Sequence, residues 1–239
     1  MQLTHGQDDP LRARLGALEE ANEALREQLR RQRLLTEQLR FQAFHDSLTG
    51  LANRALFTDR LAHALAARRR DPRPIGVLFL DLDDFKKVND TYGHAAGDAL
   101  LAAVGGRLQA CVRPADTAAR LGGDEFAVLL GDAGSYDGAT HVASRVIDSF
   151  QAHFELEGSE VIVHVSVGVT LSGSPDDDAD SILRAADAAM YAAKREGKNR
   201  FVRACDLGPR ESADVAWGVT SSHPLDPQAA PRTMEVRSA

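Results

Sequence analysis

Five acids in two short stretches are the residues best placed to do chemistry. Asp81, Asp83 and Asp84 close the apolar run "IGVLFLDLDDF" (75–85). Asp124 and Glu125 sit in "RLGGDEFAVLL" (120–130), between two runs that read as the strands of a hairpin. Clustered carboxylates repel one another unless a cation holds them, and hard divalent ions prefer oxygen ligands. If the strands are neighbours in one sheet, the acids meet at one edge and suit one or two Mg²⁺ ions shared with substrate phosphates. Spacing alone fits solvated turn acids equally well, because Asp and Gly are both common in turns. Gly122 and Gly123 favour the metal reading, since a backbone without side chains bends sharply and lets a ligand approach. Lys194 and Lys198 are expected one helical turn apart near the end of the last helix, where they could meet phosphates from one face. Taken alone, ordinary solvated lysines are the preferred reading.

The elements that must position these residues follow from periodicity. The strand ending in acids lies at 75–85, the hairpin strands at 117–121 and 125–130, a further strand at 161–170, and "NRFVRA" adds a last one. Helical spacing covers 55–70, 97–112, about 138–154 and 179–197. Alternating helices and strands with one antiparallel hairpin predict an α/β (α+β) fold around a mixed or antiparallel sheet. Residues 11–40 read differently. Leu11, Leu15, Leu18, Asn22, Leu25, Leu29, Gln32, Thr36 and Leu39 alternate in steps of four and three, a heptad seam with Asn22 at an a position. A parallel two-stranded coil is the preferred reading, and a single amphipathic helix lying on the domain is the alternative. Residues 1–10 read as a flexible N-terminus, and 205–239, with four prolines and Trp217 as the only large aromatic, as a disordered tail.

Composition narrows the function. With 239 residues, 44% hydrophobic and 26% charged, the chain is an ordinary globular protein, and its net charge of −7 argues against coating nucleic acid. No run approaches the roughly 20 apolar residues of a membrane helix, and "MQLTHGQDDP" lacks the basic-then-apolar pattern of a secretory signal. Cys111 and Cys205 belong to no CxxC pair. These features point to the cytoplasm, with no membrane partner. P-loop, zinc-protease and nucleophile-elbow motifs are absent.

Four stretches together resemble the GGDEF-domain diguanylate cyclases, which condense two GTP into cyclic di-GMP. They are "DSLTGLANR" (46–54), "DLDDFKKVNDTYGHAAGD" (81–98), "RLGGDEF" (120–126) and "ADAAMYAAKREGKNR" (186–200), in family order. The resemblance covers about 41–204 and implies a palm-like fold with about five central strands flanked by helices, preceded by the coiled-coil helix. It assigns Asp81, the Leu82 carbonyl, Asp124 and Glu125 to metal (two Mg²⁺, or Mn²⁺), with Asp124 and Glu125 as the catalytic acids. It assigns Asn89 and Asp98 to guanine, Phe85 and Lys86 to a loop along the phosphates, Gly122 and Gly123 to the substrate turn, and Lys194 and Lys198 to phosphate contacts. Lys198 stands where the family often has Arg, which loses bidentate geometry. Arg113 and Asp116, in "RPAD", resemble an inhibitory site for cyclic di-GMP, with a helix-ending turn as the alternative. The expected partners are GTP, cyclic di-GMP as product and inhibitor, a second copy through the coil, and an unidentified regulatory protein. The competing functions are a catalytically silent nucleotide-binding module and a cyclase acting on ATP or on single GTP molecules.

Overall fold

A computed structural model of the chain describes residues 10–68, 73–156, 159–174 and 177–208. In chain order the elements are α1 (Pro10–Phe44), α2 (Arg54–Arg68), β1 (Gly76–Leu82), α3 (Phe85–Tyr92), α4 (His94–Ala110), β2 (Thr117–Gly122) and β3 (Glu125–Leu130). Then follow α5 (Tyr136–Ser149), β4 (Phe154–Leu156), β5 (Ser159–Val161), β6 (Val165–Leu171), α6 (Ala179–Arg195), β7 (Phe201–Arg203) and a 3₁₀ turn at Ala204–Asp206. Five strands form one sheet in the order β2-β3-β1-β6-β7. β1 is antiparallel to both β3 and β6, and β7 runs parallel to β6, so the sheet is mixed.

β1 is buried at every position, as a central strand covered on both faces must be. Its alternation divides the core. Leu78, Leu80 and Leu82 pack with Leu100, Val104 and Leu108 of α4 and Val146 of α5. Val77 and Phe79 pack with Phe57 and Leu61 of α2 and Ile182, Leu183 and Met190 of α6. By the same alternation Asp81 lies on the α6 side, at the end of a strand that two helix layers hold still.

Several boundaries differ from the sequence expectation. The strand expected over 161–170 is two strands, because β5 pairs with β4 in a separate hairpin and β6 starts only at Val165. Phe154, Leu156 and Val163 bury their side chains in the α4 layer, which bends the chain before it enters the sheet. The helix expected at 97–112 begins at His94 and is preceded by α3, with Gly93 at φ 85° making the break. The helix expected to reach 154 ends at Ser149. Residues 205 and 206, expected in the tail, belong to the 3₁₀ turn; 209–239, with Trp217, and 1–9 lie outside the described residues.

α1 is continuous for 35 residues. Its seam leucines Leu15, Leu18, Leu25, Leu29 and Leu39 are 46–65% exposed, so the helix does not lie with that face on the domain. The chain leaves α1 through a tight knot, in which Asp46 accepts from the Thr49 amide and hydroxyl and Asn53 Nδ2 donates to the Ala43 carbonyl. Ala52 then bonds to the edge of β2, its amide donating to Ala118 O and its carbonyl accepting from Arg120 N.

Candidate active site

The site grows from the register of β1 and β3. Asp81 stands directly opposite Glu125 across the antiparallel pair. Asp124 adjoins Glu125 in the turn, and its carbonyl accepts from the Leu82 amide at 3.3 Å. The turn needs its glycines: Gly122 (φ 149°) and Gly123 (φ 51°) both have positive φ, where an L side chain is strained. Both are exposed, leaving open space beside the acids.

Two arginines hold this turn in place. Arg120 donates from Nε and Nη2 to the Gly123 carbonyl at 2.9 and 2.8 Å and pairs through Nη1 with Asp46 at 3.2 Å. Arg54 donates from Nε to the Leu121 carbonyl at 3.1 Å and reaches Glu125 Oε2 at 3.4 Å. Asp46 and Arg54 open and close the "DSLTGLANR" stretch, so that segment's ends brace the turn.

The acids share an electrostatic problem. Burial pushes the Asp81 carboxyl up to about 7, and the charge of Asp124 adds to the rise. The Lys194 ammonium opposes it, with Nζ 2.6 Å from Asp81 Oδ1. Glu125 is likewise raised, first by burial; Arg54 opposes this, while Asp187 and Asp124 add to it. Asp187 is itself raised by burial and is steadied by Lys194 and Arg54. Sequence reasoning missed Asp187, although it lies on α6 two helical turns before Lys194 and hence on the same face.

The remaining residues fall into place unevenly. Lys198 is not one turn further along the helix. α6 ends at Arg195, and Lys198 lies beyond it at φ 64°, its Nζ 3.0 Å from Asp84 Oδ1. Gly197 makes this departure from the helix, which the apolar pattern does not register. Phe85 and Lys86 are not in a loop but open α3, whose first amides lack intrahelical acceptors. Asn89 is on α3 and the exposed Asp98 on α4; a Cβ on Gly97 would collide with Asn89 Oδ1, so the small residue makes room for that amide. Arg113 and Asp116 form a local turn, with Arg113 N donating to Asp116 Oδ2 at 3.0 Å. They lie at the start of β2, so about 20 Å of strand separates them from the glycine turn.

Among the described residues no group of three or more His, Cys, Asp or Glu side chains is preformed as a metal cluster. The edge offers two opposed carboxylates, Asp81 and Glu125, with Asp124 adjoining and the Leu82 backbone beside them. Mg²⁺ keeps several waters and is usually held by one or two carboxylates plus substrate phosphates. This donor set fits an ion that arrives with a nucleotide.

Comparison with known proteins agrees with this geometry. The family described as "Diguanylate cyclase, GGDEF domain" matches residues 43–200. The diguanylate cyclase TpbB of Pseudomonas aeruginosa is 44% identical over 161 residues, 67% of this chain and 37% of that protein. The chain thus spans little more than a third of that relative. The solved coiled coil and GGDEF domain of DgcB from Caulobacter crescentus, in complex with cyclic di-GMP, is 33% identical with a TM-score of 0.67, covering 82% of this chain and all of that one. The diguanylate cyclase SiaD of Pseudomonas aeruginosa, solved with its activator SiaC, is 31% identical with a TM-score of 0.65, covering 81% and 74%. An acid-edged mixed sheet between two helix layers is the palm-like GGDEF fold. The chain belongs to the GGDEF-domain diguanylate cyclase family.

Proposed function

We propose that this protein condenses two GTP molecules into cyclic di-GMP with release of two pyrophosphates. The observation that carries the reading is Asp81 facing Glu125 across β1 and β3, beside Asp124 and under the Lys194 ammonium, in a chain of this family. Three acids and a lysine gathered at one end of the sheet, buried or half-buried, are poorly accounted for by solvated turn acids.

Each residue then has a task. Asp81, Glu125, Asp124 and the Leu82 carbonyl would hold two Mg²⁺ or Mn²⁺ ions, which would supply charge stabilisation at the α-phosphate and a lowered pKa for the attacking hydroxyl. Asp124 lies beside the ribose 3′-oxygen and takes its proton as the bond to the α-phosphorus forms and pyrophosphate leaves. Lys194 exchanges its contact with Asp81 for the nucleotide's phosphates, and Lys198 approaches them from the neighbouring loop. The amides of Phe85 and Lys86 offer α3's positive end to the same phosphates. The Asn89 amide donates to guanine O6, and the Asp98 carboxylate accepts from guanine N–H groups. Gly122 and Gly123 leave the turn bare for the ribose.

One domain holds one GTP, so two domains must face each other. The exposed seam of α1 supplies the pairing surface, a parallel coil whose Asn22 selects two strands. Cyclic di-GMP binds at Arg113 and Asp116, where the guanidinium fork meets a phosphate or a guanine edge, and holds the domains apart. Incubation with Mg²⁺ and GTP, followed by mass analysis, is expected to give cyclic di-GMP, ATP is expected to give nothing, and Asp124→Ala is expected to be inert. A cyclic mononucleotide, or no turnover at any protein concentration, overturns the reading.

A further inference from the structure

Among the described residues, Asp83 is the one acid at the end of β1 without an ion pair. It is 8% exposed, and its carboxylate accepts two neutral hydrogen bonds, from Ser166 Oγ on β6 at 2.7 Å and from the Asn199 amide at 3.0 Å. Its own amide donates to the His164 carbonyl at 2.9 Å. A buried polar side chain is costly without hydrogen-bond partners, so these contacts are not incidental.

The Asn199 amide belongs to an unusual loop. Gly197, Lys198 and Asn199 have φ values of 115°, 64° and 48°, three consecutive residues in a region that side chains avoid. Gly adopts it freely and Asn tolerates it; Lys, with no short polar group to bond its own backbone, does not. Such a backbone persists only where its surroundings over-determine it. On one side, the Lys198 amide donates to the Ala193 carbonyl at 3.0 Å. On the other, the Asn199 amide is fixed by Asp83. The Asn199 side chain does not contribute a bond through its oxygen, because Oδ1 is buried without a partner. Lys198 sits between these two anchors, with Nζ at 3.0 Å from Asp84 Oδ1 at the end of β1.

We propose that Asp83 is a positioning residue: it locks the left-handed loop Gly197–Asn199 to the end of β1 and thereby aims the Lys198 ammonium at the nucleotide's phosphates. The role as an aimer of phosphate contacts rests on the GTP reading above; the locking of the loop does not. Asp83 touches no substrate. Ser166 keeps the second carboxylate oxygen occupied, so that the first remains turned toward Asn199. The end of β1 thus carries a metal acid at Asp81 and, two residues on in the turn that follows the strand, the anchor for a phosphate cation.

The test uses the full chain with Asp83→Asn, and Ser166→Ala as a second variant that leaves the carboxylate in place. Amide exchange by NMR reads the lock without any nucleotide. Asp83→Asn is expected to speed exchange at the Asn199 amide by roughly tenfold or more, and Ser166→Ala by less. Should Asp83→Asn fail to fold, Ser166→Ala alone decides, with faster Asn199 exchange expected and unchanged exchange overturning the lock. Kinetics read the aim. Asp83→Asn is expected to raise KM for GTP roughly tenfold, the scale of one lost charge-assisted contact, with a smaller effect on kcat. Combining it with Lys198→Ala is expected to add little to the single Lys198→Ala effect, because both remove the same contact. Unchanged Asn199 exchange overturns the lock, and additive effects of the two substitutions overturn the aim. A wild-type protein that makes no cyclic di-GMP overturns the GTP reading and the aim with it, while the exchange result still decides the lock.

Discussion

A buried carboxylate beside other acids carries a measurable cost, and Asp81 carries the largest. Its folded-state pKa is about 7 against an ordinary 3.8. Between those values the folded chain holds a proton that the unfolded chain has released, so stability falls as pH rises through this window. The difference corresponds to on the order of 4 kcal/mol. In metal-free buffer Asp81→Asn is therefore expected to melt above the wild type at pH 8 and to converge with it toward pH 4. Thermal unfolding across that range checks this; a variant less stable than wild type at pH 8 would show that the Asp81–Lys194 pair outweighs the burial. Saturating Mg²⁺ and GTP are expected to raise the wild-type melting temperature and to raise that of the variant by less, because the substitution removes one anionic ligand and leaves the other contacts in place. Glu125 and Asp187 are raised for the same reason and deepen the same trend in both proteins.

At the scale of elements, the site depends on how closely α6 approaches the sheet, because Lys194 and Asp187 ride on that helix. Gly168 on β6 allows the approach: a Cβ there would strike the Ala186 carbonyl and the Met190 amide, both backbone atoms that cannot swing aside. Gly168→Val is expected to destabilise the fold by about 3 kcal/mol, an overpacking cost, although valine otherwise suits a strand. A lowered urea midpoint at unchanged m-value checks it, and an unshifted midpoint would show that α6 yields without cost. Much of this architecture was legible in the sequence. The apolar run ending at Leu82 and the Gly122–Gly123 turn marked the two strands whose acids meet, because strand alternation and turn chemistry are local signals. The register that sets Asp81 against Glu125 was not legible, since pairing between distant strands leaves no mark on either one. The break at Val161–Val165 was hidden because one β-rich run served two ladders. Lys198 was placed on a helix for want of any periodic signal of a left-handed exit. Asp46 and Arg54 could be seen in a motif but not given a task, for their partners Arg120 and Glu125 lie far along the chain.

At the scale of the whole molecule, the proposed function requires two copies to meet for chemistry and to be kept apart for inhibition. Arg113 is exposed at the far end of β2 from the acids. Arg113→Ala is accordingly expected to relieve inhibition by cyclic di-GMP and to leave initial turnover near wild type; unchanged potency would remove this site. In the same proposal the meeting depends on α1. Leu18 and Leu25 are 65% and 56% exposed in a single chain, so charged groups there disturb nothing within it. In a parallel coil the same positions face their own copies, where a buried glutamate pair would be both desolvated and repelled. A chain with Leu18→Glu and Leu25→Glu is therefore expected to fold like wild type yet sediment as a monomer. Its cyclase rate per molecule is expected to fall most in dilute solution and to recover as concentration rises, because the substitutions remove effective concentration between half-sites and no catalytic group. Rates measured over a hundredfold dilution series separate the outcomes. Parallel curves for the two proteins would take the coil out of the mechanism, and a rate lost equally at all concentrations would mean that α1 acts on the site by some route other than pairing.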